Sequence, residues 1–427
     1  MNVETFRDLL AKGLGRAPLF LREHNPRPFY EALLEACVHN LSYDPQCEDS
    51  RADYLFEMIQ GTPDRDFFRD RILQALRESY RYWDARQLFD LARLFAQEGH
   101  YQARQAMYEK FDRNDTARDF TGAEEIVRLD GIEGLLWVAD RIGGQMLAEE
   151  DCLPPEGPLI LAEESCGEQP TWSALEEVAR RNERVHAYWT GVRKRRAGDG
   201  PVQEYTYYRL QEALASWRGR PAREWLFRWS KNASEEDVRR VATELQTEKR
   251  RAYLQAYLHI FRYRAFPLPP DRLIQWARAD RGEVSEAALL ALGNLRHDSL
   301  RPLALELLGQ GRISAGVLRL LVHHYQEGDH RLVAAALAED CNPREYHRRG
   351  SVALEIFEEN PTPDCQAALL ALYEKGPCSL CREWGIDLLL AHSILPDWMA
   401  RECLFDANFQ IRAKVAQGQH GGTNGTA

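Results

Sequence analysis

No stretch of this 427-residue chain approaches 18 consecutive apolar residues, so no membrane-spanning helix is expected. No segment alternates apolar and polar residues over any length, so β-structure has no signature. The phosphate loop GxxxxGK[ST], the HExxH zinc motif and the GxSxG elbow are all missing. Catalysis by those chemistries is not expected, nor is a cofactor. The opening MNVETFRDLLAKGL lacks the basic, apolar and small-residue regions of a signal peptide. Cysteine is sparse: nine residues, an odd number, with no dense framework. That usage favours reduced thiols, and hence a cytoplasmic location.

What the chain does have is helical periodicity. FYEALLEACVHN, RADYLFEMIQ, RDFFRDRILQALRES, DARQLFDLARLFAQEG and YQARQAMYEKF carry apolar residues three and four apart. Residues 1–148 therefore read as helix pairs. The stretch 149–171 (EEDCLPPEGPLILAEESCGEQPT) has four prolines and two glycines and reads as a linker or long loop. Residues 172–270 form a basic, aromatic segment, with helices expected over 172–196, 204–218, 221–231 and 234–264. AGDGPV at 197–202 breaks it, and Ser234 with Asp237 opens its last helix as a capping box. Repeats are expected over 271–416, and a disordered Gly/Thr-rich tail over 417–427.

The repeat is visible at Asp298, Asp329, Asp364 and Asp397, which open HDSLRPLALELL, GDHRLVAAALAE, TPDCQAALLALY and LPDWMARECLFD. The steps between them are near-equal, at about 33 residues each. Each aspartate stands where an N-cap would, and each interval leaves room for one more helix. A fixed period of this size predicts an all-α solenoid of antiparallel helix pairs.

Charge is uneven. Residues 180–264 hold 20 Lys/Arg against 10 Asp/Glu, a balance of +10 inside a chain of −11, so the remainder carries −21. Arg193, Lys194, Arg195 and Arg196 stand in a row. Arg209, Arg218, Arg220, Arg223, Arg228 and Lys231 follow, interleaved with Tyr205, Tyr208, Trp225 and Trp229 among other aromatics. Arginines pair with phosphate or carboxylate, and aromatic faces stack on bases or guanidinium groups, so these residues are candidates for contact with an anionic partner. A core reading competes. Tyr207, Leu210, Leu214 and Trp217 form a stripe at helical spacing, and Trp225 and Trp229 lie one turn apart.

Cys378 and Cys381 form a CxxC, with His392 and Cys403 downstream. His392 would lie roughly 16 Å along a helix from Cys381, too far to share one ion. Cys378, Cys381 and Cys403 remain as thiols for a zinc site with no named fourth ligand, against the plainer reading as small core residues. Adjacent His323 and His324 point different ways on a helix and do not suggest a shared metal.

The stretch VSEAALLALGNLRHDSLRPLALELLGQG, Val284 to Gly311, resembles a HEAT-type repeat of the HEAT/armadillo-like class. Ala287, Ala288 and Ala291 allow close helix approach, Leu292, Leu295, Leu303 and Leu307 supply core, and Gly293 ends the first helix. A degenerate form extends over about 235–416. The resemblance implies a non-enzymatic scaffold or adaptor binding a protein or peptide, with acidic groups facing the basic segment. Nucleic-acid binding through 193–231 is the alternative. A HEAT-like DNA glycosylase using Glu204, Glu212 or Glu224 stands third.

Overall fold

The computed structural model describes residues 1–149, 151–197, 204–218, 221–279 and 282–421. These residues are all-α: 26 α-helices, two short 3-10 segments and no strand. No helix among them is long and apolar enough to cross a membrane. The chain divides into two compact units, residues 1–201 with 398–427, and residues 202–397.

The helices of the first unit are α1 Val3–Lys12, α2 Arg16–Glu23, α3 Tyr30–Val38, α4 Pro45–Glu48, α5 Ala52–Gln60, α6 Arg65–Glu78, α7 Tyr82–Gln97, α8 Tyr101–Arg113, α9 Ala123–Ala148, α10 Gly157–Cys166, α11 Glu168–Ala179 and α12 Glu183–Arg196. Successive helices pack on near neighbours: α6 on α7, α7 on α8, α9 on α10 and on α12. In α6 the spacing predicts an inward stripe of Phe67, Ile72, Leu73 and Leu76; the last three are buried, but Phe68 takes the inward place of Phe67, which faces solvent. The stretch 149–171 is not a bare linker, because α10 forms within it and α11 begins there. Pro158 is tolerated in the first turn of α10, where its missing N–H has no intrahelical partner to lose.

Chain from beyond the second unit completes the first. The second unit is followed by α25 Asp397–Cys403 and α26 Phe409–Gly421. Residues 417–421, expected in the tail, thus continue α26, and 422–427 lie outside the described residues. Arg16 grips the Glu402 carboxylate with two bonds, 2.7 and 3.1 Å, and Ala407 N donates to Gly13 O at 2.8 Å. Gly13 ends α1 at φ +73°, a conformation that favours glycine, and Gly15 passes so close to this segment that a Cβ would sit 1.8 Å from Glu402 O.

A buried carboxyl gives this unit a pH dependence. Glu125 in α9 is 3% exposed, and burial pushes its carboxyl up to about 8, with Asp90 pushing the same way and Arg86 opposing. The folded value lies above the unfolded value of about 4.3, so the folded state keeps a proton that the unfolded state releases. Stability therefore falls as pH rises through that interval. Glu125→Gln should raise the melting temperature at about pH 8.5 and change it little at about pH 5. Equal shifts at both values, measured by thermal denaturation, would contradict this.

The second unit comprises α13 Tyr207–Ser216, α14 Arg223–Asn232, α15 Glu235–Leu245, α16 Arg251–Phe261, α17 Asp271–Arg278, α18 Glu283–Leu292, α19 Leu300–Gly309, α20 Ala315–Arg319, α21 His330–Ala338, α22 Pro343–Glu359, α23 Gln366–Lys375 and α24 Ser379–Ala391. Alternate helices form a continuous row: α14 packs on α16, α16 on α18, α18 on α20, α20 on α22 and α22 on α24. The intervening helices bridge neighbouring members, as α17 does with α18 and α23 with α24. A helix does stand in each interval between the four aspartates.

Of the local signals Ser234 behaves as expected, but the aspartates do not: Ser299 rather than Asp298 stands at the N-cap of α19, Asp364 lies inside a 3-10 turn with Thr362 at its N-cap, and Asp397 lies within α25. Ser234 caps α15 by accepting from Asp237 N at 3.1 Å. The run 234–264 is two helices, split where Glu248 accepts from Lys249 N and Arg250 N, both at 2.8 Å. Asp329 stands at the N-cap of α21 with a helical backbone, and its carboxylate caps nothing there. It binds the Arg301 guanidinium instead.

Candidate functional site

The row of alternate helices exposes one shared face, and a groove of about 1400 Å³ runs along it. Its wall is built from α14, α16, α18, the turn before α20, and α22. Six arginines line it, Arg223, Arg251, Arg262, Arg312, Arg348 and Arg349, with five carboxylates, Glu283, Glu286, Glu339, Asp340 and Glu345.

Those charges are used unequally. Toward α22 they hold the fold together. Arg348 pairs with Glu286 at 3.0 Å and Glu345 at 3.2 Å. Glu286 also accepts from Ser314 Oγ at 2.8 Å and Gly316 N at 3.0 Å. Arg349 donates to Ile313 O at 2.7 Å, and Arg312 to Ala277 O at 2.9 Å and Ser285 Oγ at 2.7 Å. Each of these arginines satisfies carbonyls or carboxylates of a neighbouring helix pair, as buried donors must.

Toward α14 the arrangement is different. Arg223 and Arg262 make no ion pair among the described residues. Between them His259 lies half-buried on α16. Burial lowers the His259 pKa to about 4, and the charges of Arg262 and Arg223 push it the same way, against a smaller opposing hydrogen bond with the Arg223 backbone. The ring is therefore neutral at neutral pH, and the positive charge of this end comes from the two arginines. The arrangement suits a carboxylate or phosphate, with two guanidinium groups to pair with it beside a neutral imidazole.

The candidate contact residues read from the sequence fall in both units. Arg193, Lys194, Arg195 and Arg196 belong to the first unit. There Arg193 lies over the Trp189 ring at 4.6 Å, Lys194 is exposed, Arg195 pairs with Glu156 at 3.1 Å, and Arg196 pairs with Glu163 at 2.7 Å. The others belong to the second unit. Arg209 pairs with Glu212 at 3.0 Å and Arg228 with Glu224 at 2.5 Å, so two of the three carboxylates considered for glycosylase chemistry are tied up in exposed helix pairs, and the third, Glu204, is exposed. Lys231 lies over Phe227, Arg218 and Tyr208 are exposed, and Tyr205 stands 6.4 Å from Trp225. Arg220 lies outside the described residues. Trp229 is fully buried and donates to Thr206 O at 2.9 Å, as the core reading required. Of the whole set, Arg223 lines the groove.

The cysteines divide as well. Cys403 is buried in the first unit, whereas the CxxC belongs to the second. Cys378 and Cys381 come together with His347 of α22, the three potential ligand atoms lying within 4.8 Å of one another. His347 escaped the sequence reading, although it stands 34 residues before Cys381, close to one repeat period. That spacing places equivalent positions of neighbouring repeats side by side.

No protein-family model matches this chain, and neither curated proteins nor solved structures show a significant similarity to it.

Proposed function

We propose that the chain is a HEAT-like helical-repeat adaptor of the cytoplasm whose second unit takes an acidic segment of a protein partner into its groove. The stacked row of α14, α16, α18, α20, α22 and α24 supports a solenoid reading of that unit, because each helix buries its apolar face against the next repeat's equivalent. One observation carries the ligand class: two arginines of the groove, Arg223 and Arg262, make no ion pair among the described residues. An acidic side chain there gains two charge-assisted partners.

A protein partner is favoured over nucleic acid by the rest of the wall. Glu283, Glu286, Glu339, Asp340 and Glu345 line the groove together with the arginines. A phosphate backbone, charged at every step, would meet those carboxylates repeatedly. A peptide with spaced acidic and basic residues matches both signs, and charge complementarity of this kind sets specificity and register.

The test is an anisotropy titration of dye-labelled acidic peptides with the wild-type chain and with the double variant Arg223→Glu and Arg262→Glu. Charge-assisted hydrogen bonds contribute about 1.5–3 kcal/mol each, so losing two should lower affinity roughly a hundredfold or more. Arg209→Glu, at an exposed helix pair, should change it by no more than about twofold. Binding untouched by the double variant, or oligonucleotides bound more tightly than any peptide, would sink this reading.

A further inference from the structure

We propose that His347, Cys378 and Cys381 form a zinc site with one coordination position left to solvent or an outside ligand. The argument begins with helix geometry. Cys378 stands at the N-cap of α24 and Cys381 lies in its first turn, so the CxxC spacing brings both thiols to one side of the helix start. His347 reaches them from α22, which packs directly on α24.

The distances fit a tetrahedral ion. Zinc bonds of about 2.3 Å to sulfur and about 2.05 Å to nitrogen imply edges of roughly 3.8 Å between two sulfurs and roughly 3.5 Å between sulfur and nitrogen. Cys381 Sγ lies 3.4 Å from His347 Nδ1, and no pair of the three ligand atoms exceeds 4.8 Å. The thiols are not joined in a disulfide.

The chemistry fits too. Two soft thiolates and an imidazole suit zinc better than the hard cations, which prefer oxygen. On binding, both thiols release their protons, and two thiolate charges cancel the charge of the ion. A neutral centre can sit among residues as buried as Cys378 and Cys381, 5% and 8% exposed, without an uncompensated charge. His347 is less buried, which leaves one side open to solvent. Three protein ligands and an open position characterise zinc that handles an exchangeable ligand; closed structural sites use four. The ion would also link two neighbouring helices of the row.

Cobalt(II) is the probe. Full-length protein, reduced and stripped with chelator, is titrated with cobalt and followed by absorbance. The expected result is a thiolate-to-cobalt charge-transfer band saturating at one equivalent and bleached by one equivalent of zinc. Cys378→Ser, Cys381→Ser and His347→Ala should each lose it, while Cys166→Ser, at an exposed thiol of the first unit, keeps it. A wild-type chain that gives no such band overturns the proposal whether or not the variants fold. So does a band of full strength in folded His347→Ala, which circular dichroism would verify.

Discussion

Replacing Trp229 by alanine should destabilise the second unit by roughly 3–5 kcal/mol, the usual cost of deleting a fully buried large aromatic. The side chain has no exposed surface, and its indole N–H serves Thr206 O at the start of α13. The loss combines apolar burial, a residual cavity and a broken hydrogen bond between α14 and the α13 N-cap. Trp229→Phe keeps most of the apolar area and loses the donor, and should cost less. Denaturant unfolding followed by circular dichroism reads both. The experiment also decides between two roles for the aromatic segment. Were Trp229 a stacking platform for a ligand, the alanine variant would keep its stability and lose binding.

Asp329→Ala is the second large effect, at roughly 3 kcal/mol. The Asp329 carboxylate is almost wholly buried. It accepts two bonds from Arg301, one of them at 2.9 Å, and a third from Gln326 N at 2.8 Å. Deleting it strands a largely buried guanidinium. Arg301 keeps some solvent access and a bond to His324 O at 3.2 Å, so the cost falls at the lower end for a broken buried pair. A double-mutant cycle with Arg301→Ala should give a coupling of at least about 1 kcal/mol. Additive single effects would mean that the pair contributes little beyond its packing.

These two residues show how far the sequence could be read. Periodicity is local, so the stripe of Tyr207, Leu210 and Leu214 could be recognised at its own spacing, and all three are buried. Trp217 continues that spacing but falls just past the last turn of α13, where it is 52% exposed. The spacing of Asp329 within its repeat was equally visible. Its partner was not, because Arg301 lies 28 residues upstream on a different helix pair, and which side chains meet there depends on how the repeats stack. The same holds for His347 and the CxxC.

The groove was the least legible feature. Its arginines come from α14, α16, the turn before α20 and α22, and of them Arg223 alone stood among the residues singled out in the sequence. The conspicuous run at 193–196 is paired locally instead, with Glu156 and Glu163. Clustering in sequence drew attention to Arg195 and Arg196, whose charges are met locally, whereas Arg223 opens α14 and Arg262 follows α16, apart in sequence. The split of 234–264 was also hidden, since Glu248 forms its turn with no glycine or proline to mark it. Arg250 and two backbone amides hold the Glu248 carboxyl down at about 2, so that turn stays charged and intact well into acid.

The most direct test of the central claim is where an acidic peptide touches the full-length chain. A binding peptide from the anisotropy titration, carrying a photoreactive residue beside its acidic centre, is cross-linked and the adducts are mapped by mass spectrometry. The account predicts adducts within 221–226, 251–262 and 283–290, the helices that carry Arg223, His259 and Arg262 and the groove wall facing them. Adducts concentrated at 193–196, or scattered over the first unit, would contradict it.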